Sequence, residues 1–259
     1  MEEKLYHGCM NTFAIIKTEE ERDYTSLAIS LCKKHQTDGF IAVKTNPLEM
    51  IFYNADGSRG TMCGNGIRCL ARYCFDEAII KDKKYQVLTL AGILDVEIAS
   101  FDPFLVKVKM GKAIFDPKAS SVNTNKKDFL DQELVIKKRK VVLSTIFMNT
   151  VHTVVFVDDF SEIDFFGEAI CNHEIYLEKT NVNFVKIIDS KTIEVRTYER
   201  GVGWTLACGT GASSAFVLGR LKKKLDDKVL VKFLGGEIYL SADKEDNVFM
   251  EGPAEEIKK

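Results

Sequence analysis

The sequence predicts an α+β fold built as two similar halves. Strand-like runs, alternating or continuously β-branched, dominate the 259 residues. Helical patterns are few, and two of them start at nearly the same device: "MCGNGIRC" at 62–69 and "ACGTGASS" at 207–214. Each copy follows a strand and a tight loop, so both halves run sheet, loop, Cys-Gly-x-Gly, helix.

In chain order, strands are expected at "TFAIIKT" (12–18), "GFIAVKT" (39–45), "EMIFYN" (49–54), "YQVLTLAGILDVEIA" (85–99) and "FLVKVKMG" (104–111). A polar, Lys-rich interval at 117–140 reads as connection. Strands resume with "KVVLSTIFMN" (140–149), "HTVVFVD" (152–158), "NVNFVKIID" (181–189), "TIEVRTYE" (192–199) and "DKVLVKFLGGEIYLSA" (227–242), the last as a hairpin through Gly235-Gly236. A first helix is expected over 19–35, with Leu27, Ile29, Leu31 and Cys32 on its buried face. The other two are "GIRCLARYCFDEAII" and "GASSAFVLGRLKKKL". In the latter Ala212, Ala215, Phe216, Leu218, Gly219 and Leu221 are apolar, and Lys222, Lys223 and Lys224 suit the negative end of the dipole. The halves divide in the polar stretch: residues 1–112 carry Cys63, and 113–259 carry Cys208, with the last few residues free to return to the first.

Lys and Arg number 36 against 38 Asp and Glu, a net charge of −2. No basic field exists to attract nucleic acid or an anionic membrane. No apolar run approaches bilayer length and the start shows no signal core, so the chain is expected to be soluble and cytoplasmic. Seven cysteines in a chain without an export signal are expected to stay reduced, mostly as small apolar filler. Their spacing matches no paired-ligand pattern, and no metal site is expected.

Cys63 and Cys208 stand apart because each opens a helix. The first N–H groups of a helix lack internal partners and carry the positive end of its dipole. A thiol there ionises more easily, and a carboxylate docks on the same N–H groups. Glycines on either side of Asn65 and Thr210 would let backbone approach a ligand closely. If the two sites faced one substrate, one thiolate would remove the α-proton while the opposite thiol supplied one to the other face. Two opposed thiols fit racemisation by general acid and base better than covalent attack, which needs only one.

Taken together, "HGCMNTF", "NADGSRGTMCGNGIRC", "NVNFV" and "YERGVGWTLACGTGA" resemble the diaminopimelate epimerase family of pyridoxal-phosphate-independent amino-acid racemases and epimerases. The resemblance covers almost the whole chain. It implies two pseudo-symmetric domains, each a β-barrel-like sheet wrapped around a central helix, with the active site between them. It implies no cofactor, Cys63 and Cys208 as the acid–base pair, and His152 and Glu199 assisting near the reacting centre. Gly64, Asn65, Gly209 and Thr210 would receive the substrate α-carboxylate. Asn11, Asn54, Thr150, Asn181 and Arg200 would line the rest of the site, with Arg200, Asn54 and Asn181 gripping its far end.

The chain departs from the family pattern around the pocket. Met10 and Thr12 replace a glycine and an aspartate, Thr150 replaces an asparagine, and Trp204 stands where glutamate is common. A cleft with Trp204 and Met10 suits a planar or less polar side chain. The expected substrate is therefore an amino acid other than diaminopimelate, histidine foremost, with diaminopimelate as the alternative. Partners are limited to that small molecule; a homodimer is left open. From other classes, a thiol redox sensor or a non-catalytic amino-acid-binding protein remains. A nucleotide-binding dehydrogenase is disfavoured because "CGTGASS" fits Gly-x-Gly-x-x-Gly poorly.

Overall fold

The computed structural model describes residues 3–20 and 22–258. They divide into two units. One runs through Lys109 and resumes at Glu251; the other is Met110–Met250.

In the first unit β1 (Lys4–Gly8) and β2 (Asn11–Lys17) form a hairpin. Its turn is Cys9-Met10 at φ 53 and 60, the paired positive φ of a type I′ turn. Helix α1 (Thr25–His35) leads to β3 (Gly39–Thr45), which lies parallel to β2. Next come β4 (Leu48–Asn54), antiparallel to β3, and β5 (Arg59–Gly60), antiparallel to β4. Helix α2 (Gly64–Asp76) precedes β6 (Lys84–Thr89), which touches β4 in parallel. The antiparallel strands β7 (Gly92–Phe101) and β8 (Phe104–Gly111) follow. Ten of the thirteen residues of α2 are buried, and it packs against β1, β2, β3 and β4. A helix buried on nearly every side is a core with a sheet wrapped around it.

The second unit repeats this order. β9 (Phe129–Ile136) and β10 (Arg139–Phe147) are antiparallel, as are β10 and β11 (Val151–Phe156). Helix α3 (Ile163–Cys171) leads to β12 (Asn181–Asp189), parallel to β11. Antiparallel β13 (Thr192–Glu199) and the short β14 (Gly203–Thr205) precede α4 (Gly209–Leu221). β15 (Lys228–Phe233) then runs parallel to β13, and β16 (Gly236–Ala242) antiparallel to β15. Nine of the thirteen residues of α4 are buried, against β10 to β13. β17 (Val248–Pro253) returns the chain, and β18 (Glu255–Glu256) pairs with β1. The fold is α+β, with two pseudo-symmetric barrel-like domains around buried helices.

Because pairings recur in the same order, residues can be matched by register. Ile41 faces Phe52 across β3 and β4, and Phe52 faces Gly60; Asn183 faces Thr197 across β12 and β13, and Thr197 faces Thr205. Gly60 and Thr205 each stand three residues before their cysteine. Ile41 therefore corresponds to Asn183, and Phe52 to Thr197. By the parallel pairs Phe13 with Gly39 and His152 with Asn181, Phe13 corresponds to His152.

Several expectations are corrected. The first helix begins at Thr25, where the Asp23 carboxylate accepts from the Thr25 N–H at 3.0 Å, so residues 19–24 precede it. Its buried residues are Ala28, Leu31 and Cys32, while Ile29 is exposed. The interval 117–140 contains β9, which exposes Asp131, Glu133 and Val135 and whose ends bury Phe129 and Ile136. Helix α3 was not expected; Gly167 interrupts its pattern because a Cβ there would lie 2.9 Å from the Trp204 ring. Leu221 is exposed, and α4 ends before the three lysines. The β15–β16 hairpin turns at Leu234-Gly235, since Phe233 already pairs with Gly236.

Candidate active site

Each unit presents its cysteine as the N-cap of its buried helix. The backbone of Cys63 has φ −132 and ψ 122, that of Cys208 φ −129 and ψ 108. Both extended residues already accept the first helical bond, from Ile67 N–H at 2.9 Å and from Ala212 N–H at 3.0 Å. The duplicated motif is thus a duplicated cap geometry.

In the first unit the Gly66 N–H donates to the Cys63 sulfur at 3.4 Å, and the thiol has a long 3.9 Å contact to Asn11 Oδ1. The approach to Cys63 is set by the "NADGS" turn. Gly57 sits at φ 83, and the Ser58 N–H and Oγ–H donate to Asp56 at 2.8 and 2.6 Å, holding that carboxyl below its ordinary pKa. Asn54 belongs to the turn: its Nδ2 donates to Ser58 Oγ at 2.9 Å. Asn65 is buried, and its Oδ1 accepts from Arg68 Nη2 at 2.9 Å. Arg68, fully buried, also donates to the carbonyls of Gly64 and Pro253 at 3.1 Å each, so its charge is tied down by backbone.

In the second unit the Cys208 thiol is hydrogen-bonded to the Glu199 carboxyl, which also accepts from Thr205 Oγ1 at 2.8 Å. Burial raises the Glu199 pKa and outweighs these two bonds, which pull it down. Thr210 Oγ1 lies 3.5 Å from the Cys208 sulfur and 2.9 Å from His152 Nε2. His152 has no solvent exposure; burial, aided by the charge of Arg200, depresses its pKa to about 3. Its ring is therefore neutral near pH 7. Arg200 donates to Thr150 Oγ1 at 3.2 Å and to the Glu178 carbonyl at 3.0 Å. Asn181 spends its amide on backbone, donating to the Val151 carbonyl at 3.1 Å and accepting from the Arg200 N–H at 3.0 Å. Asn54 and Asn181 thus both spend side-chain groups on bonds within their own units.

The second glycine of each motif makes room for protein. A Cβ on Gly66 would meet Met50 Cε at 2.9 Å and Ile41 Cδ1 at 3.2 Å; one on Gly211 would meet Asn183 Oδ1 at 2.0 Å. Close approach of a ligand is not what these two positions require. Trp204 meets Phe184 at a tilt and Tyr198 edge-on, with centroids at 5.9 and 5.4 Å. These contacts lie within its own unit and leave the residue 40% exposed. Met10 projects from the β1–β2 turn and is 59% exposed. Thr12, at the position of the missing aspartate, bonds Asp38 through N–H and Oγ1 at 2.8 and 2.9 Å.

Sequence reasoning missed Arg68, Asn183 and Thr197. Asn181 and Asn183 share one face of a β-branched strand, and an Asn in such a run is a signal in itself. Of the remaining thiols, Cys9, Cys32, Cys69, Cys74 and Cys171 are buried, and burial raises the pKa of each, Cys74 to about 12. His35 and His173 serve local bonds, to Glu3 and from the Ile175 N–H.

Among the described residues no helix is long and apolar enough to cross a membrane. The diaminopimelate epimerase family profile matches residues 4–115 and 145–257. A diaminopimelate epimerase of Alkaliphilus metalliredigens is 37% identical over 99% of this chain and 95% of its own. One of Caldanaerobacter subterraneus is 36% identical over 97% and 95%. Among solved structures, a Bacillus anthracis phenazine biosynthesis protein of the PhzF family aligns over 100% of this chain and 98% of its own, with TM-score 0.73 at 14% identity. A hydroxyproline epimerase of Agrobacterium vitis aligns over 99% and 90%, with TM-score 0.68 at 10% identity; at such identities the likeness is one of fold. The names of the two sequence relatives favour the diaminopimelate alternative over the expected histidine.

Proposed function

This chain belongs to the diaminopimelate epimerase family and is an isomerase of the racemase and epimerase class; from that premise we propose that it interconverts L,L- and meso-diaminopimelate. Support comes from the names of relatives matched over nearly the full length and from the undisturbed cap geometry of both cysteines. In this reading Cys63 and Cys208 exchange roles as thiolate base and thiol acid on the two faces of one α-carbon. The helix-start N–H groups at Gly64, Asn65, Gly209 and Thr210 receive the α-carboxylate, where charge accumulates as the α-proton leaves. Glu199 accepts the Cys208 proton's hydrogen bond and helps to hold that proton in place. Arg200, with Thr150 beside its guanidinium, supplies the cation for a distal carboxylate. Asn11 lies beside the Cys63 thiol and takes part in orienting it.

The test is incubation in D2O with L,L-diaminopimelate, L-histidine and a panel of other L-amino acids, followed by NMR. Diaminopimelate should acquire α-deuterium and yield the meso isomer. Exchange into histidine with none into diaminopimelate would overturn the substrate assignment.

A further inference from the structure

Behind Cys208 the second unit carries a buried polar chain where the first carries hydrocarbon. The slots held by Phe13, Ile41 and Phe52 in one unit are held by His152, Asn183 and Thr197 in the other. Phe13 and Ile41 are buried, and the Phe13 and Phe52 rings are in edge contact. Both Ile41 and Asn183 fill the space beside the second motif glycine. Packing alone is thus met by apolar residues, and burying three polar ones is costly unless each is bonded.

The bonds fix where every proton sits. The Thr153 carbonyl can only accept, and Asn183 Nδ2 lies 3.1 Å from it, so the amide nitrogen faces that side. The opposite end, Oδ1, accepts from Thr197 Oγ1 at 3.0 Å. The second hydrogen on Nδ2 then points to His152 Nδ1, also 3.1 Å away, which must be bare. The ring proton of neutral His152 is left on Nε2 and goes to Thr210 Oγ1 at 2.9 Å. Thr210, having accepted, turns its own proton toward the Cys208 sulfur at 3.5 Å.

We infer that Asn183 is a positioning residue for Cys208: through His152 it orients the Thr210 hydroxyl as a donor that stabilises the Cys208 thiolate. The relay moves no proton; it holds a direction. This rests on the acid–base role proposed for Cys208, whose other charged neighbours are Glu199 at its thiol and Arg200 near His152.

The experiment has two arms that need no substrate and one that does. In 15N-labelled protein the ring shifts of His152 should show a bare Nδ1 and a protonated Nε2; a protonated Nδ1 with a bare Nε2 would overturn the inference. In a Cys63→Ala background, alkylation of Cys208 by iodoacetamide, read by peptide mass spectrometry across pH, should show an apparent pKa raised by about one unit in Asn183→Leu, the size expected for losing a bond to a charged group. With Cys63 present, Asn183→Leu and Asn183→Asp should lower kcat about ten- to hundred-fold with KM little changed. Leucine mimics Ile41, so an Asn183→Leu enzyme with wild-type kcat and wild-type Cys208 reactivity would reduce Asn183 to filler. If diaminopimelate is not turned over yet the ring tautomer and Cys208 reactivity behave as stated, the substrate reading falls and this inference stands.

Discussion

Replacing Gly211 with alanine should damage the second half-site far more than the matching change damages the first. The added methyl would sit 2.0 Å from Asn183 Oδ1, and ordinary contact begins at 3.4 Å. The obstructing atom belongs to an amide held by three bonds, to Thr153, His152 and Thr197. At about 1 kcal/mol for each bond disturbed, the penalty is about 3 kcal/mol, less the roughly 1 kcal/mol that alanine gains over glycine within a helix. At Gly66 the nearest atom is the flexible end of Met50 at 2.9 Å, which can swing aside, so Gly66→Ala should lie within about 1 kcal/mol of wild type. Urea unfolding followed by circular dichroism measures both. Gly211→Ala should lose about 2 kcal/mol and most of its α-proton exchange. Gly211→Ala/Asn183→Ala removes the clash but orphans His152 Nδ1, the Thr153 carbonyl and Thr197 Oγ1, so it should recover neither stability nor exchange. A Gly211→Ala protein as stable and as active as Gly66→Ala would refute the reasoning.

Four further outcomes follow from the same geometry. Cys63→Ala and Cys208→Ala should each abolish epimerisation while leaving the circular dichroism spectrum unchanged; full activity in either would remove the two-thiol assignment. His152 has a folded pKa near 3 against an ordinary 6.5, so the unfolded chain takes up its proton first as pH falls. Its contribution is intact above pH 6.5 and is lost from there down toward pH 3, at roughly 1 kcal/mol per pH unit, a slope that His152→Phe should flatten in denaturation curves. Glu199→Gln replaces the carboxyl beside the Cys208 thiol with an amide and should lower kcat about ten- to hundred-fold at unchanged melting temperature. Met10 holds φ 60 in a tight turn, so Met10→Gly should raise stability by about 1 kcal/mol; a lower melting temperature would contradict the strain.

The two caps were legible because Cys-Gly-x-Gly is local: helix start, thiol position and backbone donors all follow from a few adjacent residues. The strands were legible for a similar reason, since alternation is a property of each segment. Where the signal depended on a distant partner, reading failed. β9 carries Asp131 and Glu133 on its exposed face and becomes a strand by pairing with β10. In α3, Gly167 argues against a helix until the Trp204 ring is seen lying against it. Trp204 itself looked like a pocket wall, and its contacts with Phe184 and Tyr198 come only from other strands of the sheet. Asn183 meets His152 only through the register of two parallel strands, which no local pattern specifies.

The first unit is stitched from both early and late chain: β18 pairs with β1, and the Pro253 carbonyl receives the buried guanidinium of Arg68. On the ribosome, residues 110–250 emerge as one continuous block able to condense as soon as they clear the tunnel. The half containing Cys63 must wait, its sheet missing a strand and its buried cation missing an acceptor, until residues 251–256 are made. Synthesis order therefore makes the nascent protein acquire Cys208's scaffold first, and a chain released early would carry one finished cap and one unfinished one.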